Sequence, residues 1–285
     1  MWKLALAICF LAFQGVAEQQ KVLLGNRMYL IDLPDNPNGS LILALHDASG
    51  TPEEFRMKIR LSGPALAKGY AVIYPEGSGK SWNGFYCCGY AQVKNIGDIR
   101  FLDLVISDAT SRFELDRNRV YLTGMGNGSV MAETYAARRA DKVKAVAGVA
   151  GTIDLRRTPA ARVPLLHIHG LEDEIVPYGL TGPEVGSERG AEGRRNPFTA
   201  VPVQIKAFVA ANGRLKKTTR SINSFNDGTS VTEDNYVLAT GRTQVRLMTI
   251  SGGGHVWPGP RRRGAGNTRE IDANAEVLRF FAEHP

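Results

Sequence analysis

The chain has 285 residues, of which 43% are hydrophobic and 22% are charged, a balance that is ordinary for a globular protein and fits one large α/β domain. Its formal net charge of +7 is scattered along the chain, and only Arg261-Arg262-Arg263 forms a basic run. Aromatic and basic residues do not interleave, so the sequence argues against nucleic-acid binding.

The first 17 residues have the three parts of a secretory signal peptide. Lys3 supplies the positive region, residues 4–13 are apolar, and Gly15-Val16-Ala17 form a small-x-small cleavage site. The apolar segment is too short to span a bilayer. We therefore expect a secreted protein, extracellular or periplasmic, with no membrane span and with a single domain over residues 18–285.

Beyond the leader, short apolar runs alternate with longer helical stretches, which predicts an α/β fold with a mostly parallel sheet and helices on both faces. The strand candidates are 28–33, 40–46, 71–74, 119–123, 143–149, 164–169 and 245–250. The helix candidates are 98–113, 129–139, 203–211 and 271–284, and Asp98 is the expected N-cap of the first. Residues 180–197 are rich in Gly, Glu and Arg and predict a surface loop.

Cleavage of the leader would remove Cys9 and leave only Cys87 and Cys88, which are adjacent. In an oxidising compartment these two can pair with each other or stay reduced, and the sequence leaves both states open. His167 and His169 share one strand face, where core or rim packing is favoured over metal binding. We expect neither a metal nor a cofactor.

The segment Gly124-Met125-Gly126-Asn127-Gly128 has the spacing of a serine-hydrolase nucleophile elbow, G-x-S-x-G, with glycine at the serine position. A strand candidate precedes it and an Ala-rich helix follows, as the elbow requires. Taken alone, the motif could equally be a strand-to-helix turn or a phosphate loop. In an elbow, Gly126 could not attack a substrate, and the backbone N–H of Asn127 would be one donor of an oxyanion hole.

Two later loops follow in the chain order that an elbow predicts, namely nucleophile, acid and histidine. Asp173 comes just after a strand that ends near Gly170, a position from which a carboxylate can orient a histidine. The Gly-rich loop 251–254 presents His255, the best general-base candidate of the five histidines. A solvated acidic turn and an exposed loop histidine are the alternatives.

His46-Asp47-Ala48 follow the second strand candidate, where α/β-hydrolases place a His-Gly segment that contributes to the oxyanion hole. Asp47 takes the glycine position, and the N–H of Ala48 would be the second donor. A carboxylate that faced the cleft would repel a developing oxyanion. The alternative is an ordinary turn at the end of a strand.

Together these segments resemble the secreted esterases grouped with polyhydroxybutyrate depolymerases, which are related to feruloyl and acetylxylan esterases. The resemblance extends from about Tyr29 to the last helix candidate. It rests on the elbow and on Leu45-His46, Tyr74-Pro75-Glu76-Gly77, Ser81-Trp82-Asn83, Cys87-Cys88-Gly89, Asp98 to Leu102, Asp116-Arg117-Asn118-Arg119-Val120-Tyr121, His169-Gly170 with Asp173, Val176-Pro177-Tyr178 and Gly254-His255-Val256-Trp257-Pro258-Gly259.

The resemblance implies an α/β-hydrolase fold with a Ser-Asp-His triad and no metal. It implies that Asp173 is the triad acid, that His255 is the base and that Gly126 stands in place of the nucleophile. It also implies that Trp82 and Trp257 are walls of a cleft for the acyl or sugar group, with rim packing as the alternative.

Two further positions depart from the family pattern. Asp47 replaces a glycine. Arg214 replaces the cysteine of a frequent Asn-Gly-Cys segment, which is consistent with Cys87 and Cys88 having no distant partner.

Three functions remain open at this point. In the first, the chain is an esterase homologue that has lost ester hydrolysis and binds an ester-bearing small molecule, polyester or esterified glycan. In the second, the chain is a hydrolase in which His255 activates water directly. In the third, the chain is an active serine esterase whose serine was changed in this sequence. Departures at both Gly126 and Asp47 favour the first function, because a single error would change only one position.

Overall fold

The structure is a computed structural model that describes residues 19–179, 199–260 and 264–285. The predicted signal peptide, the predicted surface loop over residues 180–197 and the basic run 261–263 lie outside these described residues.

The described residues form ten strands, which build one sheet in the order β1-β2-β4-β3-β5-β6-β7-β10-β9-β8. Their bounds are β1 (Gln20–Leu24), β2 (Arg27–Asp32), β3 (Leu41–Leu45), β4 (Ala71–Pro75), β5 (Val120–Met125), β6 (Ala145–Val149), β7 (Leu165–Gly170), β8 (Lys216–Ile222), β9 (Ser230–Val237) and β10 (Thr243–Ser251). The six central strands, which lie in the order β4-β3-β5-β6-β7-β10, pair in parallel. The outer pairs, β1 with β2, β2 with β4, β10 with β9 and β9 with β8, are antiparallel.

Helices cover both faces of this sheet, which confirms the predicted fold class. Their bounds are α1 (Pro52–Ile59), α2 (Ser62–Leu66), α3 (Gly89–Val93), α4 (Asp98–Arg112), α5 (Asn127–Arg138), α6 (Val201–Ala211) and α7 (Ala273–Ala282). Every predicted strand and helix exists, with bounds that differ by one or two residues. Among the described residues, no helix is both long and apolar enough to cross a membrane.

Successive residues of β3 divide the apolar core into two clusters because side chains alternate across a strand. Leu41, Leu43 and Leu45 pack with α4, α5 and α6 on one face of the sheet. Ile42 and Ala44 pack with α1, α2 and α7 on the other face. Both faces of the central strands are therefore dry, as a parallel sheet requires.

The strand register brings the sequence-predicted site segments to one edge of the sheet. Leu45 at the end of β3 pairs with Gly124 near the end of β5, so the segments that follow these strands are neighbours. Gly170 at the end of β7 pairs with Ile250 near the end of β10, so the next two loops are also adjacent. The carboxyl edge of a parallel sheet is where ligand sites are usually built.

Asp98 does not cap α4, contrary to the sequence-based expectation. It is the first residue of the helix, and the N-cap is Gly97, which makes no side-chain cap bond. The Asp98 carboxylate instead accepts hydrogen bonds from Arg27 Nη1 at 2.7 Å and from the Asn83 N–H at 2.8 Å. These long-range bonds tie the start of α4 to β2.

Candidate active site

Gly126 occupies the sharp turn between β5 and α5, with φ 52° and ψ −121°. Its positive φ lies in the region that favours glycine. Close approaches also explain the flanking glycines: a Cβ at Gly124 would lie 2.4 Å from the carbonyl carbon of Gly128, and one at Gly128 would lie 2.1 Å from the Leu45 carbonyl oxygen. The segment thus has the backbone geometry of a nucleophile elbow.

His255 and Asp173 are hydrogen-bonded across the loops that follow β10 and β7. His255 Nδ1 lies 2.9 Å from Asp173 Oδ2, and Asp173 Oδ1 accepts the N–H groups of Ile175 and Val176 at 2.9 and 2.8 Å. A Cβ at Gly170 would lie 2.2 Å from the Gly253 carbonyl oxygen, so the two loops meet where neither could carry a side chain. This is the relation of a triad acid to its histidine.

Asp47 fills the space between His255 and the elbow. Its Oδ1 atom accepts the N–H groups of Ala48 at 2.7 Å and of Asn127 at 2.8 Å. Its Oδ2 atom lies 3.1 Å from His255 Nε2. The two N–H groups expected to bind a substrate oxyanion therefore bind a carboxylate of the protein itself.

The Asp47 carboxylate also occupies the position where a Cβ of residue 126 would lie. A Cβ built on Gly126 would lie 2.0 Å from Asp47 Oδ1 and 2.4 Å from Asp47 Cγ. Such distances are far inside van der Waals contact. Glycine at 126 and the present Asp47 rotamer are therefore mutually dependent.

Opposite charges stabilise the contacts of His255 with Asp47 and Asp173 at neutral pH. Burial lowers the pKa of His255, but hydrogen bonds and charge from Asp173 and Asp47 outweigh it and raise that pKa to about 9. Burial raises the pKa of Asp47, but His255 and the N–H groups of Asn127 and Ala48 bring it below its usual value. Burial likewise raises the pKa of Asp173, and hydrogen bonds from His169 and His255 bring it well below the usual range. An imidazolium ion thus lies between two carboxylates.

Trp82 and Trp257 are 0% and 1% exposed, so neither indole offers a surface to a ligand. Trp82 Nε1 donates to the His46 carbonyl oxygen at 2.9 Å, and Trp257 Nε1 donates to Asn274 Oδ1 at 3.0 Å. The expectation that these rings form cleft walls is wrong for this structure, because both N–H groups have partners in the interior.

Cys87 and Cys88 are joined by a disulfide, one of the two states that the sequence left open. Cys87 is buried in a small cluster with Tyr86, Val130 and Val176, beside the N-terminal half of α5.

The profile of the esterase PHB depolymerase family matches residues 24–175, which is more than half of the chain. The chain belongs to this family.

Individual relatives carry esterase names. NocK of Nocardia uniformis subsp. tsuyamanensis, which is named as an esterase, is 28% identical over 234 residues that cover 79% of this chain and 68% of NocK. Feruloyl esterase B of Piromyces equi is 24% identical over 80% of this chain, which spans only 42% of that protein. Among solved structures, an acetyl xylan esterase from Aspergillus awamori superposes with a TM-score of 0.61 at 14% identity, covering 93% of this chain and 99% of the other. At that identity the likeness shows the fold alone.

A chain of buried polar side chains leads from Asp173 into the core, and the sequence patterns do not predict it. His169 Nε2 lies 3.4 Å from Asp173 Oδ2, His169 Nδ1 lies 3.0 Å from His167 Nε2, and His167 Nδ1 lies 2.7 Å from Glu133 Oε1. Glu133 and His167 are both 0% exposed, and His169 is 1% exposed. His167 and His169 are indeed packed in the interior, but as members of this hydrogen-bonded chain.

Hydrogen-bond directions fix where the protons lie. Because His169 Nε2 lies 2.7 Å from the Val176 carbonyl oxygen, it must carry a proton. Burial lowers the pKa of His169, so the ring is neutral and its Nδ1 accepts from His167 Nε2.

The surface beside the triad acid is partly apolar. Leu171 and Ile175 flank Asp173 and are 46% and 53% exposed. An open depression of about 500 Å³ is lined by Leu171, Glu172, Asp173, Glu174, Pro177, Tyr178 and Gly179. Within the described ranges, no group of three or more His, Cys, Asp and Glu side chains is arranged to hold a metal ion.

Proposed function

We propose that the protein is a secreted member of the esterase PHB depolymerase family that does not hydrolyse carboxylic esters by serine acyl transfer and that binds an ester-bearing small molecule or polymer. One observation carries the loss of hydrolysis: Asp47 Oδ1 accepts both N–H groups of the oxyanion hole, at 2.7 and 2.8 Å. Removing a single oxyanion donor costs a hydrolase about 10²–10³ in kcat.

The remaining requirements for acyl transfer also fail. The position of the nucleophile carries Gly126, which has no oxygen. A resting triad histidine must be neutral in order to take a proton, but His255 has a pKa of about 9 and is charged at pH 7.

Direct activation of water by His255 is less well supported, because its Nε2 atom is engaged by Asp47 at 3.1 Å and holds its proton at neutral pH. An altered serine is also less well supported, because Gly126 provides the space that Asp47 fills. The two departures from the family pattern fit each other.

Ligand binding is supported by the exposed apolar side chain of Leu171, which lines the depression, and by exposed Ile175, which follows the lining residue Glu174 in the chain. Relatives named for feruloyl and acetylxylan esters make an esterified glycan the first ligand class to test. Neither aromatic ring of Trp82 or Trp257 contributes to this surface.

Hydrolysis is tested with the mature protein on p-nitrophenyl acetate and butyrate, beside an inert protein at equal concentration. We expect no rate above that control. A saturable rate that His255→Ala abolishes would overturn the proposal and support activation of water.

Binding is tested by calorimetry with acetylated and feruloylated xylan oligosaccharides and with the same oligosaccharides after de-esterification. We expect binding only of the esterified forms, and weaker binding by Leu171→Ser and Ile175→Ser than by a matched Leu104→Ser variant, since exposed Leu104 lies on α4. Equal affinity for both forms would refute an ester ligand.

For secretion, we expect the exported protein to begin at Glu18.

A further inference from the structure

We propose that Asp47 is a nucleophile for displacement at saturated carbon, so that this site hydrolyses a substrate whose alkyl carbon carries an anionic leaving group, such as an alkyl halide or an alkyl sulfonate. This inference goes beyond ester binding and does not depend on it. It rests on how the structure holds the two oxygens of one carboxylate.

The two oxygens of Asp47 have different surroundings. Oδ1 is fixed by two backbone donors, Ala48 N–H and Asn127 N–H. Among the described residues, Oδ2 has one hydrogen-bonding partner, His255 Nε2 at 3.1 Å. The Asp47 side chain is 28% exposed, so the site is open to solvent at this residue. A carboxylate with one anchored and one available oxygen is placed to attack.

In the first step Asp47 Oδ2 forms a bond to the alkyl carbon, and the bond from that carbon to the leaving group breaks. The leaving group departs with the electron pair, and an alkyl ester of Asp47 remains. Displacement at saturated carbon develops no oxyanion, so this step does not need the hole that Oδ1 occupies. Attack on an ester carbonyl would need it.

Esterification then changes the state of His255. The ester has no charge, so one of the two carboxylates that raise the pKa of this histidine is lost. His255 Nε2 releases its proton to solvent and becomes a base. The base is therefore available when the covalent intermediate has formed.

In the second step His255 Nε2 takes a proton from a water molecule whose oxygen attacks Asp47 Cγ. Oδ1 becomes the oxyanion, and it already lies between the N–H groups of Ala48 and Asn127. Hydrolases use such N–H donors to stabilise the oxyanion of a tetrahedral intermediate.

Collapse of this intermediate breaks the bond from Cγ to the alkylated oxygen, and the departing alkoxide takes the proton from His255. The new carboxyl group of Asp47 returns its proton to His255, which restores the starting ion pair. Overall, the alkyl compound and water give the alcohol, the leaving anion and one proton.

The attacking oxygen determines where label appears. Water reacts at Asp47 Cγ, so its oxygen enters the carboxylate, and the alcohol receives its oxygen from Asp47. A single turnover of the native protein in ¹⁸O-water should therefore label the peptide that contains Asp47. Label found only in the alcohol would overturn the proposal, because it would mean direct attack by water.

The intermediate is tested with 1-bromobutane and butyl p-toluenesulfonate. We expect the native protein to release bromide above the rate of buffer, and Asp47→Asn and Asp47→Gly to fall to that rate. In His255→Gln the second step lacks its base, so a butyl ester should accumulate on the Asp47 peptide and be seen by mass spectrometry. Asp47→Asn/His255→Gln should show no adduct.

A folded His255→Gln variant without an adduct, or with the adduct on another residue, would refute the assignment. Should that variant not fold, the labelling of the native protein decides alone. The outcome is separate from ester binding, which is measured with non-alkylating oligosaccharides.

Discussion

Asp47 Oδ1 and a Cβ at position 126 would be 2.0 Å apart, so Asp47 and Gly126 share one volume at the centre of the site. The carboxylate that fills this volume also takes the two N–H groups of the oxyanion hole. Neither position can be changed to the family residue without consequences for the other.

Gly126→Ser alone should give a destabilised and inactive protein. Serine at φ 52° carries backbone strain of about 1–3 kcal/mol, and its Cβ must displace the Asp47 carboxylate. Urea unfolding should show the loss of stability, and p-nitrophenyl butyrate should show no turnover. Single-mutant activity above background would mean that Asp47 moves away readily.

Gly126→Ser/Asp47→Gly should recover ester hydrolysis. Removing the carboxylate frees the N–H groups of Ala48 and Asn127 and leaves His255 Nε2 opposite the new hydroxyl. We expect kcat/KM at least about 10-fold above that of the single mutant, since one opposing charge is removed. Gly126→Ala/Asp47→Gly is the matched control, and equal rates in both double mutants would contradict a restored triad.

Stability should fall between pH 6.5 and 9 because of His255. Folding raises the pKa of this residue from 6.5 to about 9, so its contribution is fully present below pH 6.5 and is lost as pH rises through 9. His255→Gln should flatten this part of the profile, with a difference on the order of 1–3 kcal/mol. Urea unfolding between pH 6.5 and 9 measures the free energy of unfolding of both proteins. The same dependence on pH in the variant as in the native protein would show that the ion pairs of His255 contribute little.

Glu133→Ala should lower the free energy of unfolding by at least about 1–3 kcal/mol, because two buried polar groups then lose their hydrogen-bonding partner. Gln204 Nε2 donates to the Glu133 carboxylate at 2.7 Å, and His167 Nδ1 is hydrogen-bonded to it at 2.7 Å. The Gln204 amide cannot turn to help, since its oxygen already accepts the Ile153 N–H at 2.7 Å. Glu174→Ala at an exposed position is the control, and equal stability of the two variants would contradict a structural role of the buried hydrogen bonds.

Cys87→Ala/Cys88→Ala should still fold. A disulfide between adjacent residues closes no long loop, so it removes little entropy from the unfolded chain. We expect a loss of about 2 kcal/mol or less, which comes from the buried Cys87 side chain. Failure of the double variant to fold in non-reducing buffer would contradict this account.

The elbow, the acid and the histidine could be predicted from the sequence because each follows an apolar strand and is marked by glycines. The direction of the Asp47 side chain could not. It depends on a residue 208 positions away, His255, and on the empty space above Gly126. Sequence spacing gives the position of Asp47 but not its contacts.

Glu133 was missed because the helix that contains it was interpreted only as Ala-rich. Its signal is a glutamate in a helix whose residues 127–136 are all buried. It lies opposite a glycine, since a Cβ at Gly148 would lie 1.9 Å from Glu133 Oε1. β8 was missed for the opposite reason, since six of its seven residues are exposed and it has no apolar run.

The shared volume of Asp47 and Gly126 also restricts the order in which this site can evolve. In a lineage that begins with serine at position 126, an aspartate at 47 cannot take its present rotamer, because the serine Cβ excludes it. Loss of the serine is the permissive step, and capture of the two N–H groups follows. Homologues with glycine at both positions are the expected intermediates, whereas those with serine at 126 and aspartate at 47 must hold the carboxylate elsewhere.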